Sequence, residues 1–121
     1  MADKACFDYR DLISDPSFSH GTKYSVSDAL DSSNQSISVI QFDPGEEGPL
    51  SYHDEPVEEL YFVVDGAFEI QLDDETFVAD EGTVASIPPG VAHRPRNTTN
   101  ETAVLLVVQV PPAENTTYLD E

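Results

Sequence analysis

From Gln35 onward the apolar residues recur at every second position in short runs, and each run is stopped by residues that turn the chain. A period of two sends successive side chains to opposite faces of a strand. Ile37, Val39 and Gln41 alternate with Ser38, Ile40 and Phe42 before Asp43-Pro44-Gly45 breaks the run. Glu59 to Val64 reads as an apolar-rich strand ended by Asp65-Gly66, and Phe68, Ile70 and Leu72 alternate with Glu69 and Gln71. Asp73-Asp74-Glu75 turns the chain into Thr76-Phe77-Val78, Thr83 to Ile87 stops at Pro88-Pro89-Gly90, and Thr102 to Val110 stops at Pro111-Pro112. Gly66, Gly82 and Gly90 belong to these turns. With no convincing amphipathic helix, many short strands argue an all-β sandwich or closed barrel. Closure also removes the exposed edges that are a hazard for an all-β chain.

The pattern divides the chain into an N-terminal extension over 1–33, a barrel over 34–112 and a polar C-terminal tail over 113–121. In the extension, Ser14-Asp15-Pro16-Ser17 suggests a turn and Tyr24-Ser25-Val26-Ser27 a short edge strand, suited to packing or dimer contacts. At 121 residues the chain is one domain, long enough to close a core unaided.

Charge narrows the partners. Twenty-four acidic residues against five basic ones give a formal net charge of −19. The acids are interleaved with regular apolar residues, so the chain is a folded domain with an acidic coat, to which Asp43, Glu46 and Glu47 belong, and not a disordered acidic tract. That coat disfavours nucleic acid and anionic membrane as partners. It repels itself in dilute buffer, whereas in molar salt the Debye length falls to about 3 Å. We therefore expect a salt-adapted protein similar to those of extreme halophiles. No run approaches the length of a membrane span, and the N-terminus has no basic-then-apolar signal, so the expected location is cytoplasmic. The single cysteine, Cys6, allows neither an intrachain disulfide nor a cysteine-based zinc site. The Asn-x-Ser/Thr triplets at Asn34, Asn97, Asn100 and Asn115 are read as ordinary polar positions.

Three histidines occur, and two of them stand among acids in strand-rich surroundings. His53 and Glu55 are two apart, so on a strand they share a face. Glu59 opens the next strand and His93 a later one. Imidazoles with one or two carboxylates suit iron, manganese, nickel, cobalt or zinc, and a two-histidine, one-carboxylate set leaves positions open for substrate or dioxygen. If His93 points inward, alternation sends Arg94 and Arg96 outward, as salt-bridged surface residues. Tyr52, Tyr61 and Phe62 read as packing residues, and the surroundings of His20 give it no site role.

These segments resemble the two motifs of the cupin superfamily. The second motif, G-x5-P-x-G-x2-H-x3-N, is matched at every fixed position by Gly82, Pro88, Gly90, His93 and Asn97. The first, G-x5-H-x-H-x3,4-E-x6-G, is matched at His53, Glu59 and Gly66, with Gly48 standing one residue later than the opening glycine and Glu55 replacing the second histidine. The resemblance, which runs from about Ile37 to Val110, implies a small single-domain cupin: a double-stranded β-helix, or jelly roll, behind a short N-terminal extension. It implies a divalent metal ion on His53, Glu59 and His93, with Glu55 as a candidate fourth ligand, and the extra carboxylate favours manganese or iron(II) over copper. It also implies a small-molecule ligand and pairing into homodimers. Three functions stay open: a metal-dependent enzyme of dioxygenase, isomerase or lyase type with Glu55 or Glu59 as base; a non-catalytic module binding a small ligand or metal; and a metal-free scaffold barrel. With no helix-turn-helix segment, a one-component transcription factor is excluded.

Overall fold

The structure is a computed structural model that describes residues 6–113 and 115–119. Ten strands form two five-stranded sheets that face each other as a jelly-roll barrel. In chain order they are β1 (Thr22–Ser25), β2 (Ser36–Phe42), β3 (Ser51–His53), β4 (Glu58–Asp65), β5 (Ala67–Leu72), β6 (Glu75–Asp80), β7 (Val84–Ile87), β8 (His93–Arg96), β9 (Ala103–Val110) and β10 (Thr116–Tyr118). The first sheet runs β1-β2-β9-β4-β7 and the second β10-β3-β8-β5-β6, every pair antiparallel. Short helical turns occupy Tyr9–Asp11 and Val26–Ala29. No helix among the described residues is long and apolar enough to cross a membrane.

The period-two runs become these strands because alternation gives each one apolar face to bury. Ile40, Phe42, Tyr61, Val63, Phe68, Ile70, Ile87, Leu105 and Val107 fill the space between the sheets, with the Phe42 and Phe68 rings edge to face at 5.6 Å. Gly66, at φ +82° in the β4–β5 turn, lies so close to Ala103 that a Cβ would approach that side chain's Cβ to 2.9 Å. The Thr22–Ser25 edge strand lies inside the 1–33 extension, two residues ahead of the expected segment. β10 lies inside the 113–121 tail, where Thr116, Thr117 and Tyr118 add to the edge of the second sheet against β3.

Asn97 has no exposed surface, and its side chain replaces backbone pairing at a corner of the barrel. Nδ2 donates to the carbonyls of Phe42 and Glu101, each at 2.8 Å, while Oδ1 accepts from the backbone N–H and the hydroxyl of Thr99. The loop after β2 is held beside β8 by Gly48 N–H to the Pro95 carbonyl and Asn97 N–H to the Glu46 carbonyl. Arg94 and Arg96 lie on the face opposite His93 as alternation requires, and both reach Glu47, at 2.8 and 2.7 Å, but only Arg96 is a surface residue as expected, since Arg94 is 7% exposed. Glu47 is thus a clamp on both arginines and not simply part of the acidic coat.

Candidate metal centre

Two strands of the second sheet and one of the first bring the three residues together. His53 ends β3 and His93 begins β8 on the second sheet, while Glu59 lies near the start of β4 on the first. Their exposures are 6%, 2% and 5%. One donor atom from each lies within 4.8 Å of the other two. The loop before β8 fixes both histidines at once. Gly90 N–H donates to the His53 carbonyl, and Asp73 accepts from Ala92 N–H while donating its own N–H back to the Ala92 carbonyl.

Hydrogen bonds decide which ring nitrogens face the centre. His93 Nδ1 lies 2.9 Å from the Val91 carbonyl, which can only accept, so Nδ1 carries a proton and Nε2 faces Glu59. Gln109, on β9 directly opposite Glu59 in register, lies with Nε2 3.0 Å from Glu59 Oε2 and 3.2 Å from His53 Nε2. A carboxylate only accepts, so the amide nitrogen faces it and its second hydrogen meets His53 Nε2 as an acceptor. His53 Nδ1–H then donates to Thr116 Oγ1 at 3.0 Å. Orienting partners of this kind on the far ring nitrogen are what metal-ligating histidines use.

Glu59 Oε1 is the atom a cation fits. It lies 2.5 Å from His93 Nε2 and 3.2 Å from His53 Nε2, yet neither nitrogen meets it at a hydrogen-bonding angle, which leaves a fully buried oxygen without an aligned partner. With one donor atom of each residue within 4.8 Å of the others, two nitrogens and a carboxylate oxygen form a set that could hold a metal ion in place of these contacts. Burial is the largest influence on Glu59 and would raise its pKa, but the two imidazoles and the Gln109 amide together outweigh it and hold the group at about 2. Burial likewise pushes His93 down, and the Glu59 carboxylate, helped by the Val91 carbonyl, brings it above its ordinary value. Tyr61, edge-on to His93 with ring centroids 5.9 Å apart, is pushed well above the usual phenol range by burial and then by Glu59.

The centre opens into a cavity of about 320 Å³ between the sheets, walled by apolar Phe18, Ile40, Phe42 and Val107 and by hydroxyls such as Ser38 and Ser51. That is the lower end of the range for small-molecule sites.

The structure does not bring Glu55 into this group. β3 ends at His53, and the turn closed by Val57 N–H on the Asp54 carbonyl carries Glu55 into solvent, so the face shared by residues two apart on a strand does not extend to it. His20 packs against Phe18 and is also outside. Gln109 and Thr116 were not singled out from sequence. Gln109 is 50 residues from Glu59 in the chain, and only strand register reveals the pairing. The one cue available was a polar side chain breaking the most apolar run.

Residues 38–109 match the cupin domain family. The chain belongs to that family. The polyketide cyclase RemF from Streptomyces resistomycificus superposes with a TM-score of 0.81 at 17% identity, covering 98% of this chain and 87% of the cyclase. An uncharacterised conserved protein with a double-stranded β-helix domain from Klebsiella pneumoniae gives 0.79 at 18% identity, over 98% of this cupin and all of that chain. A cupin-superfamily sugar phosphate isomerase from Silicibacter pomeroyi gives 0.73 at 24% identity over 83% of this chain, which spans 66% of the isomerase's length. These likenesses establish the fold. No curated protein matches the cupin by sequence. A His/Glu/His group able to hold a divalent metal is thus present in a cupin whose structural neighbours include a sugar phosphate isomerase, a polyketide cyclase and an oxalate decarboxylase.

Proposed function

We propose that this cupin is a metal-dependent enzyme acting on a small organic molecule, with His53, Glu59 and His93 as the ligands. The observation that carries the reading is the buried, unaligned Glu59 Oε1 between two imidazoles whose Nε2 atoms face it. Two nitrogens and one carboxylate suit iron, manganese, nickel, cobalt or zinc, and a set of three leaves positions for substrate. When bound, the ion would polarise a substrate oxygen as a Lewis acid. Thr116, Gln109 and the Val91 carbonyl orient the ligands, and the adjoining cavity gives the reacting molecule a place beside them. Dioxygenase, isomerase and lyase chemistry can each use such a site.

A second reading has its own support. Among the residues lining the cavity, the titratable groups besides the three ligands are Lys23, Tyr61 and Tyr118, and Tyr61 is held neutral. A cavity whose lining holds no carboxylate or histidine beyond the three ligands suits a non-catalytic ligand-binding module. Protein purified in high salt and reconstituted with each metal should bind close to one ion per chain and turn over at least one member of a panel of small oxygenated substrates, with and without oxygen. Stoichiometric metal and ligand-dependent stabilisation without turnover would establish the binding module. Failure to take up any metal would remove the enzyme reading and leave a ligand-binding or scaffold barrel.

We also propose a salt-adapted, cytoplasmic homodimer. The outer face of the first sheet carries Leu60, Phe62, Val84, Leu106 and Val108 in adjacent register positions, with Leu60 and Val84 exposed at 37% and 56%. A solvent-facing sheet surface is ordinarily polar. In a chain of net charge −19, this uncharged patch is where two copies meet with least repulsion. Sedimentation in molar KCl should show a folded dimer that Val84→Glu converts to monomer, and dilute buffer should unfold both. A wild-type monomer, or a fold indifferent to salt, would count against this reading.

A further inference from the structure

Lys23 lies on edge strand β1 directly opposite Ile40, whose side chain is in the core, so alternation turns the lysine to the inner face of the first sheet. It lines the same cavity as His53, Glu59 and His93, with its ammonium nitrogen 5.5 Å from the centre of the Phe18 ring. No other lysine or arginine lines that cavity among the described residues.

Among the described residues its ammonium forms no ion pair at contact distance, and Asp15 is a more distant opposite charge. Arg10 is paired with Asp8, and Arg94 and Arg96 with Glu47, whereas Lys23 makes no salt bridge among the described residues. Asp15, which feels the lysine's charge from the neighbouring groove, is already engaged by the Ser17 hydroxyl and N–H. Lys23 is half-buried and lines the cavity beside Phe18 and several hydroxyls, so its ammonium can meet an anion held there. A divalent ion at the three-residue centre would add to the same sign, since Glu59 would return only one charge, and would make the cavity electropositive inside an exterior that repels anions.

We propose that Lys23 is the anion-binding end of the cavity and that the ligand is a small organic carboxylate spanning from the metal centre to this lysine. The proposal rests on the metal reading for the far end of the ligand only. One oxygen-bearing end meets the centre, and a carboxylate at the other end meets the ammonium beside Phe18. A half-buried ion pair of this kind is less screened by molar salt than a surface pair.

The experiment titrates oxalate, malonate, succinate and glutarate, with acetate, propionate and butyrate as matched monoacids, into the protein at fixed chloride concentration, with and without manganese. Wild type, Lys23→Met and Lys23→Arg are compared after metal content and circular dichroism establish that each is loaded and folded. One diacid is expected to bind the loaded wild type about tenfold or more tightly than its monoacid. Lys23→Met should abolish that advantage without altering metal content, and Lys23→Arg should keep most of it. A diacid advantage undiminished in Lys23→Met, or no diacid preference in the wild type, overturns the proposal. Lys23-dependent carboxylate binding by a protein that takes up no manganese would uphold the anion site while removing the metal reading.

Discussion

Replacing Glu59 with glutamine will cost this cupin more than about 100-fold in affinity for divalent metal, beyond what loss of an outer-shell partner brings. Glutamine keeps the shape and the burial but gives up the anion between the two imidazoles. The same change should also cost the metal-free protein some stability above about pH 4.5, because the two imidazoles and the Gln109 amide hold the Glu59 carboxyl at about 2 and so favour its charged form in the fold. That stability is lost in the wild type as pH falls toward 2, whereas Glu59→Gln lacks it throughout. A chelator-competition titration and melting curves of the metal-free proteins at several pH values separate metal ligation from structural support. His93→Ala should lose the ion as completely, and it also leaves a hole beside Tyr61. Unchanged metal affinity in Glu59→Gln would mean that any bound ion sits elsewhere.

Asn97 should prove to be the most sensitive polar position outside the centre. Asn97→Ala strips partners from the Phe42 and Glu101 carbonyls and from the Thr99 N–H, so the expected loss is about 3 kcal/mol of unfolding free energy. Asn97→Asp should be worse despite its similar volume, since an acceptor oxygen then faces two carbonyls in a site closed to water. Denaturant titration in constant molar salt measures both. Equal stability of Asn97→Asp and wild type would show that the loop before β9 holds without this side chain.

Much of the barrel was legible because a strand with one buried face writes its own pattern. Ile37 to Phe42 and Phe68 to Leu72 became strands where alternation placed them. His53, Glu59 and His93 were legible because turn formers and ligands recur at fixed spacing around them. What stayed hidden depends on register across the sheets. Gln109 acts from β9 because it lies opposite Glu59, and Thr116 acts because a strand forms where the sequence is merely polar. Glu55 was misplaced for the converse reason: a local pattern suggested a strand, but the chain had already turned. Lys23 lies in a segment whose mixed signals gave no inward face, and only pairing with Ile40 defines one.

The centre draws its histidines from one sheet and its carboxylate from the other. An ion held there is a rivet through the barrel wall, since the sheets cannot part without releasing it. Binding free energy then becomes folding free energy, worth about 2.7 kcal/mol when free metal stands a hundredfold above its dissociation constant. The cell's metal supply would thereby govern how long the barrel stays closed as well as what it can do.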